Sequence, residues 1–185
     1  ETKSVTRGGA SLEVMWKKTS AVEEIKKGQY DIVILQDDIP ETTIDSFKTY
    51  SKKFVDLVRE SGARPILFMA WDYERLNWIS MEEIANAHLE VSRKLKVEIA
   101  PVGFSWALSK NRQPSLNMYV RDAEHPSVAG MYLSLLIIES TISGESPLTR
   151  SPKELKIPGL DQLNAKGRKY LQEVARDALK LWRKK

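Results

Sequence analysis

The chain has 185 residues, 42% hydrophobic and 29% charged, which fits a single globular domain able to bury a sizeable core and excludes a disordered segment. It contains no cysteine, so disulfides and thiolate metal sites are excluded while the compartment stays open. The formal charge is +4, with much of the excess at Arg183, Lys184 and Lys185; this reads as a solvated face rather than a nucleic-acid site.

No apolar run approaches the roughly 20 residues of a membrane span, and no signal peptide is legible. Along the chain, Lys3 to Arg7 reads as the tail of a strand, closed by Gly8 and Gly9, where the backbone can turn or approach a ligand. Leu12, Met15, Trp16, Ala21, Val22 and Ile25 fall near helical spacing, and Gly28 is placed to end that helix. Tyr30 to Gln36 has an unbroken apolar centre, as expected of a strand buried on both faces in a parallel sheet, and stops at Gln36-Asp37-Asp38. From Glu41 to Ser61, Ile44, Phe47, Tyr50, Phe54, Leu57 and Val58 describe an amphipathic helix ended by Gly62.

Pro65 to Trp71 is a second buried strand. Ser80-Met81-Glu82-Glu83 has the form of a capping box, after which Ile84, Ala85, Leu89 and Leu95 carry a helix inward. Val97 to Val102 makes a third, shorter strand, and Gly103 to Tyr119 reads as a polar connection with a short helical turn around Trp106 and Leu108. From Ser127 a strongly apolar helix carries Val128, Met131, Tyr132, Leu135, Leu136 and Ile138, until Gly144 and Pro147 end it. Ser146 to Pro158 reads as a loop, and Leu163 to Trp182 as a last helix with Leu171, Val174, Ala175, Ala178 and Leu179 inward.

Strands alternating with helices imply right-handed crossovers, hence a three-layer α/β/α sandwich around a parallel sheet. Ligands in such sheets bind beyond the C-terminal ends of the strands. Gly8-Gly9, Gln36-Asp37-Asp38, Trp71-Asp72 and the loop leading to Asp122 all follow strand ends and are expected on one rim. In that loop Asp122 stands three residues before His125. A carboxylate can orient an imidazole through one ring nitrogen while the other faces a nucleophile, so the pair is a candidate for two members of a hydrolase triad. The alternative is a capped helix start, with Asp122 serving backbone N–H groups and Pro126 in the first turn.

Gly8-Gly9 after a strand, Leu35-Gln36 and Pro101-Val102-Gly103 at strand ends, and Asp122-x-x-His125-Pro126-Ser127 before a helix form an ordered series. From Gly8 to about Gly144 this series resembles the SGNH (GDSL-type) esterase superfamily. The resemblance implies a serine nucleophile in a Gly-Asp-Ser or Gly-Asn-Ser motif after the first strand, and that strand is expected to lie outside the sequence given. It implies His125 as general base, Asp122 as its orienter, and an oxyanion hole from the Gly9 backbone N–H and the Gln36 side-chain amide. Gln36 departs from the usual Gly-x-Asn-Asp block. The implied substrate is a small acyl ester, carbohydrate O-acetyl groups included, with no cofactor and no metal.

The serine is unassigned by this pattern. Gly9-Ala10-Ser11-Leu12 copies Gly-Asp-Ser-Leu in outline, yet only Glu1 to Arg7 precede it, with charges at Glu1, Lys3 and Arg7. Tyr30 to Gln36 moreover fits the third strand of the family. The expectation is therefore a serine on a segment upstream of Glu1, with Ser11 as the other candidate.

Elsewhere, His88 lies on an apolar helical stripe and is expected in the core, while Asp37 and Asp38 without a histidine cluster make a weak metal site. Trp71 and Trp106 either line a substrate pocket or pack at strand ends. Ser105 and Ser109 have no elbow motif around them, and there is no Walker loop or Gly-x-Gly-x-x-Gly. A second functional class stays open: a non-catalytic module binding a partner, or a second copy, through the sheet edge that a missing first strand would leave bare.

Overall fold

A computed structural model describes residues 2–149 and 158–185. Most of the expected loop from Ser146 to Pro158 therefore lies outside the described residues. The fold is α/β: among the described residues seven α-helices accompany a three-stranded parallel sheet of order β1-β2-β3, the alternation of a three-layer α/β/α sandwich. Contacts divide the chain into two compact units, one of residues 1–70 and 82–99, the other of residues 71–81 and 100–185.

The first unit holds α1 (Leu12–Lys18), α2 (Ala21–Lys26), β1 (Ile32–Gln36), α3 (Ile44–Glu60), β2 (Arg64–Phe68), nearly all of α4 (Met81–Leu95), and β3 (Glu98–Ala100) up to Ile99. β1 and β2 run parallel, with Ile32 opposite Arg64 and Gln36 opposite Phe68. β2 is the central strand, and Pro65 to Phe68 are all buried. β1 differs from the expectation of a strand buried on both faces: only Leu35 is buried, and Ile34 is 41% exposed. Its β-branched residues still suit a pleated strand, but among the described residues β1 ends the sheet and has a strand neighbour on one side only.

Lys3 to Arg7 forms no strand; Lys3 instead pairs with Glu24 of α2 at 2.9 Å. The single helix expected from Leu12 to Ile25 is broken at Thr19. The Thr19 hydroxyl donates to the Met15 carbonyl at 2.6 Å and accepts the Ala21 N–H at 3.2 Å, competing with the helical ladder. α3 starts after a 3-10 turn at Ile39–Glu41, where Thr43 caps it by accepting the Ser46 N–H at 3.1 Å. It buries Phe47, Tyr50, Phe54, Leu57 and Val58 as the sequence pattern implies.

The second unit holds α5 (Val102–Arg112), α6 (Val128–Ser143) and α7 (Ala165–Trp182). α5 corrects the expected polar connection. Its serines are buried, and Ser105 returns its hydroxyl to the Val102 carbonyl at 2.6 Å, so polar letters here do not mark a solvated segment. Because α5 starts directly after Pro101, the third strand stops at Ala100. Trp106 of α5 is fully buried, and α6 approaches it at Gly130. A Cβ there would lie 2.6 Å from the indole ring and 2.4 Å from the Met118 carbonyl. Ser127 caps α6 by accepting the Gly130 N–H, and Asn164 caps α7 by accepting the Gly167 N–H at 2.8 Å. α7 packs against α5 and α6 and buries Leu171, Val174, Ala175, Ala178 and Leu179.

Candidate functional site

The loop from Met118 to Ser127, which joins α5 to α6, is closed by its own backbone. Tyr119 and Pro126 form an antiparallel bridge, the Ser127 N–H donates to the Met118 carbonyl at 2.8 Å, and the Val120 N–H donates to the His125 carbonyl at 2.9 Å. Between these ties the chain turns sharply, with Ala123 at φ 59, a left-handed conformation disfavoured by a Cβ. The Asp122 carboxylate stabilises that turn: Oδ1 accepts the N–H groups of Glu124 and His125, each at 2.9 Å.

Its other oxygen, Oδ2, lies 2.9 Å from Nδ1 of His125. The expected acid and histidine are thus brought together. The His125 N–H, then the Glu124 N–H, then the imidazole hold the Asp122 carboxyl below the usual carboxylate range. An ionised carboxylate only accepts, so Nδ1 carries a proton, and in the neutral imidazole the lone pair sits on Nε2. Both side chains are open to solvent, His125 at 69% and Asp122 at 48% exposure. The capping alternative is met in part, since Asp122 serves backbone N–H groups of its own loop, but the cap of α6 is Ser127.

Residues 71–75 brace this loop. The Trp71 indole N–H donates to the Glu124 carbonyl at 2.8 Å, Arg75 pairs with the Glu124 carboxylate, and the Tyr119 hydroxyl donates to the Asp72 carbonyl at 2.7 Å. Trp71 stacks on Trp106 with ring centroids 4.0 Å apart, and Trp106 meets Tyr119 edge to face at 5.1 Å. Burial, with the Asp72 and Glu74 carboxylates nearby, pushes the Tyr119 phenol up, so it stays a donor. Of the two readings for these tryptophans, packing describes Trp106, whose indole N–H is used on Ser134 at 3.1 Å. Arg75, Glu124 and Tyr119 were not singled out by sequence; the position of Glu124, between Asp122 and His125, is the signal that could have found it.

The other expected site residues belong to the first unit. Gly9 is exposed at φ 62, and its ideal Cβ position lies 3.8 Å from Asp38 Oδ2. Gln36 is the exposed last residue of β1. Ser11 is the N-cap of α1, its hydroxyl accepting the Val14 N–H at 3.3 Å. Beside them Asp37 is 2% exposed, and its Oδ2 accepts the Leu12 N–H at 2.7 Å, tying the start of α1 to the end of β1. Burial pushes Asp37 up to about 7 despite that hydrogen bond. Among the described residues no group of three or more His, Asp or Glu side chains could hold a metal ion. His88 is in the core as expected, at 1% exposure; its Nδ1 meets the Ile84 carbonyl at 2.8 Å, and burial pushes its pKa down to about 4.

No protein-family model and no curated protein matches this chain. Among solved structures it is similar to a DUF4886 family protein from Bacteroides uniformis, with a TM-score of 0.70 and 16% identity, over 89% of this chain and 67% of that one. At this identity the likeness carries the fold alone.

Proposed function

We propose that this chain is the SGNH-like, acid- and base-bearing part of a serine esterase or deacetylase that acts on small acyl esters, carbohydrate O-acetyl groups among them. The observation that carries the reading is the Asp122 to His125 hydrogen bond of 2.9 Å, which leaves Nε2 as the accepting nitrogen. In the proposed reaction Nε2 takes the proton of a serine hydroxyl as its oxygen attacks the ester carbonyl. The protonated imidazole then returns that proton to the departing alcohol, and water repeats the cycle on the acyl-enzyme. The Gly9 N–H and the Gln36 amide would stabilise the oxyanion; each such donor is typically worth about 10²–10³ in rate.

Ser11 is already used in capping α1. This favours a nucleophile carried on a strand upstream of Glu1, and the outer side of β1, which carries no strand among the described residues, would be a suitable seat for it. The test is hydrolysis of a chromogenic acetyl ester by the full gene product. His125→Ala is expected to lower turnover by about 10²–10⁴, and Ser11→Ala to leave it near that of the parent. Equal rates for His125→Ala and parent would remove the site assignment. The second reading, a non-catalytic module that binds through the edge of β1, is favoured by the exposure of Ile34. Absence of ester hydrolysis together with partner or self-association through that edge would select it.

A further inference from the structure

The Glu124–His125 peptide unit is held at both of its polar ends. Its carbonyl accepts the Trp71 indole N–H at 2.8 Å, and its N–H donates to Asp122 Oδ1 at 2.9 Å. The Glu124 carboxylate is held as well, by Arg75, and the His125 carbonyl accepts the Val120 N–H at 2.9 Å. With the peptide planes on both sides of the His125 Cα tied, the direction of its Cα–Cβ bond is set before the side chain makes any contact.

That matters because the imidazole itself has little to hold it. At 69% exposure its bond to Asp122 competes with water, and an exposed pair of this kind gains little from charge alone. The intervening turn is also strained, since Ala123 sits at φ 59. Left to itself, such a loop would relax and spread the imidazole over several orientations. The brace on Glu124 comes from a residue that is itself anchored, because the Trp71 ring lies flat against the buried Trp106 at 4.0 Å, with an interplanar angle of 3°.

We infer that Trp71, aided by Arg75, is a positioning residue for His125: by gripping Glu124 it keeps the imidazole in register with Asp122 and Nε2 available as an acceptor. As a statement about a catalytic base this rests on the hydrolase reading above; as a statement about loop order it does not. The Trp71 indole N–H is spent on the Glu124 carbonyl, so this hold on His125 passes through the backbone.

The test uses the two histidines of the chain. Imidazole ¹⁵N–¹H correlation spectra report the tautomer of each ring, and the buried His88 serves as an internal fold control. In Trp71→Phe the ring stack on Trp106 is kept and the N–H removed. The expected result is an unchanged His88 signal, with His125 passing from the Nδ1–H tautomer to a mixture of both. Arg75→Gln, at a surface position, is expected to move His125 in the same direction by a smaller amount. An unaltered His125 tautomer in Trp71→Phe, with His88 intact, overturns the inference. If Trp71→Phe disturbs His88, the decision passes to Arg75→Gln, where an unaltered His125 signal overturns it. Ester turnover of the full gene product separates the two claims. A kcat lowered about tenfold or more at unchanged KM supports both, whereas a tautomer change in a protein without turnover supports the positioning role and removes the hydrolase reading.

Discussion

The Asp122 carboxylate accepts three hydrogen bonds, two from the backbone of its own turn and one from the imidazole of His125. An asparagine could keep the first two through its single oxygen but would present N–H groups toward Nδ1. Asp122→Asn is therefore expected to preserve hydrogen-exchange protection of the Glu124 and His125 amides while lowering ester turnover on the order of 10²-fold or more; Asp122→Ala should lose both. Asp37 poses the opposite electrostatic problem. Its pKa is raised by burial to about 7, from 3.8 when exposed. The group's contribution to stability is thus complete below pH 3.8 and is lost as the pH rises through 7. The parent should unfold more easily in denaturant at pH 8 than at pH 5, and Asp37→Asn should reduce that difference, which is on the order of a few kcal/mol at most. A pH dependence identical in the two proteins would contradict the buried, proton-holding carboxyl.

At the level of elements, α5 and α6 decide where the candidate loop stands. Gly130 lets α6 approach the Met118 carbonyl and the Trp106 ring. Gly130→Ala adds a methyl where contacts of 2.4 and 2.6 Å already forbid one, and overpacking of this kind costs about 1–3 kcal/mol. The expected result is a lower urea midpoint with little change in the slope. α5 was illegible in the sequence because Ser105, Ser109, Lys110 and Asn111 interrupt its apolar stripe. Its serines are nonetheless buried, since the Ser105 hydroxyl returns its hydrogen bond to the helix backbone and the Ser109 hydroxyl reaches that of Tyr170. α3, α6 and α7 were legible within a few residues because α3 and α7 bury mostly apolar faces, α6 is rich in apolar residues throughout, and their starts carry Thr43, Ser127 and Asn164 as caps. The break between α1 and α2 went unseen because the apolar spacing continues across Thr19, whose hydroxyl ends one helix and helps start the next.

For the whole molecule, alternation of apolar strands with amphipathic helices was enough to specify an α/β fold with a parallel sheet. The open side of β1 is the feature with the widest consequence. A strand that, among the described residues, is paired on one side only, with Ile34 at 41% exposure, is a template for another strand. This chain is expected to associate as its concentration rises, and Ile34→Lys to reduce that association in sedimentation velocity; identical profiles would show that the edge is not the contact. Sequence pattern also sufficed to pair Asp122 with His125 and to put His88 in the core, because short spacing and helical periodicity are local properties. It could not reveal that β1 is an edge or that α5 is a buried helix. Nor could it find Trp71 and Arg75, some fifty residues before Glu124, holding its carbonyl and its carboxylate respectively. Those depend on which distant segments meet, and burial and long-range hydrogen bonds exist only once the chain has packed.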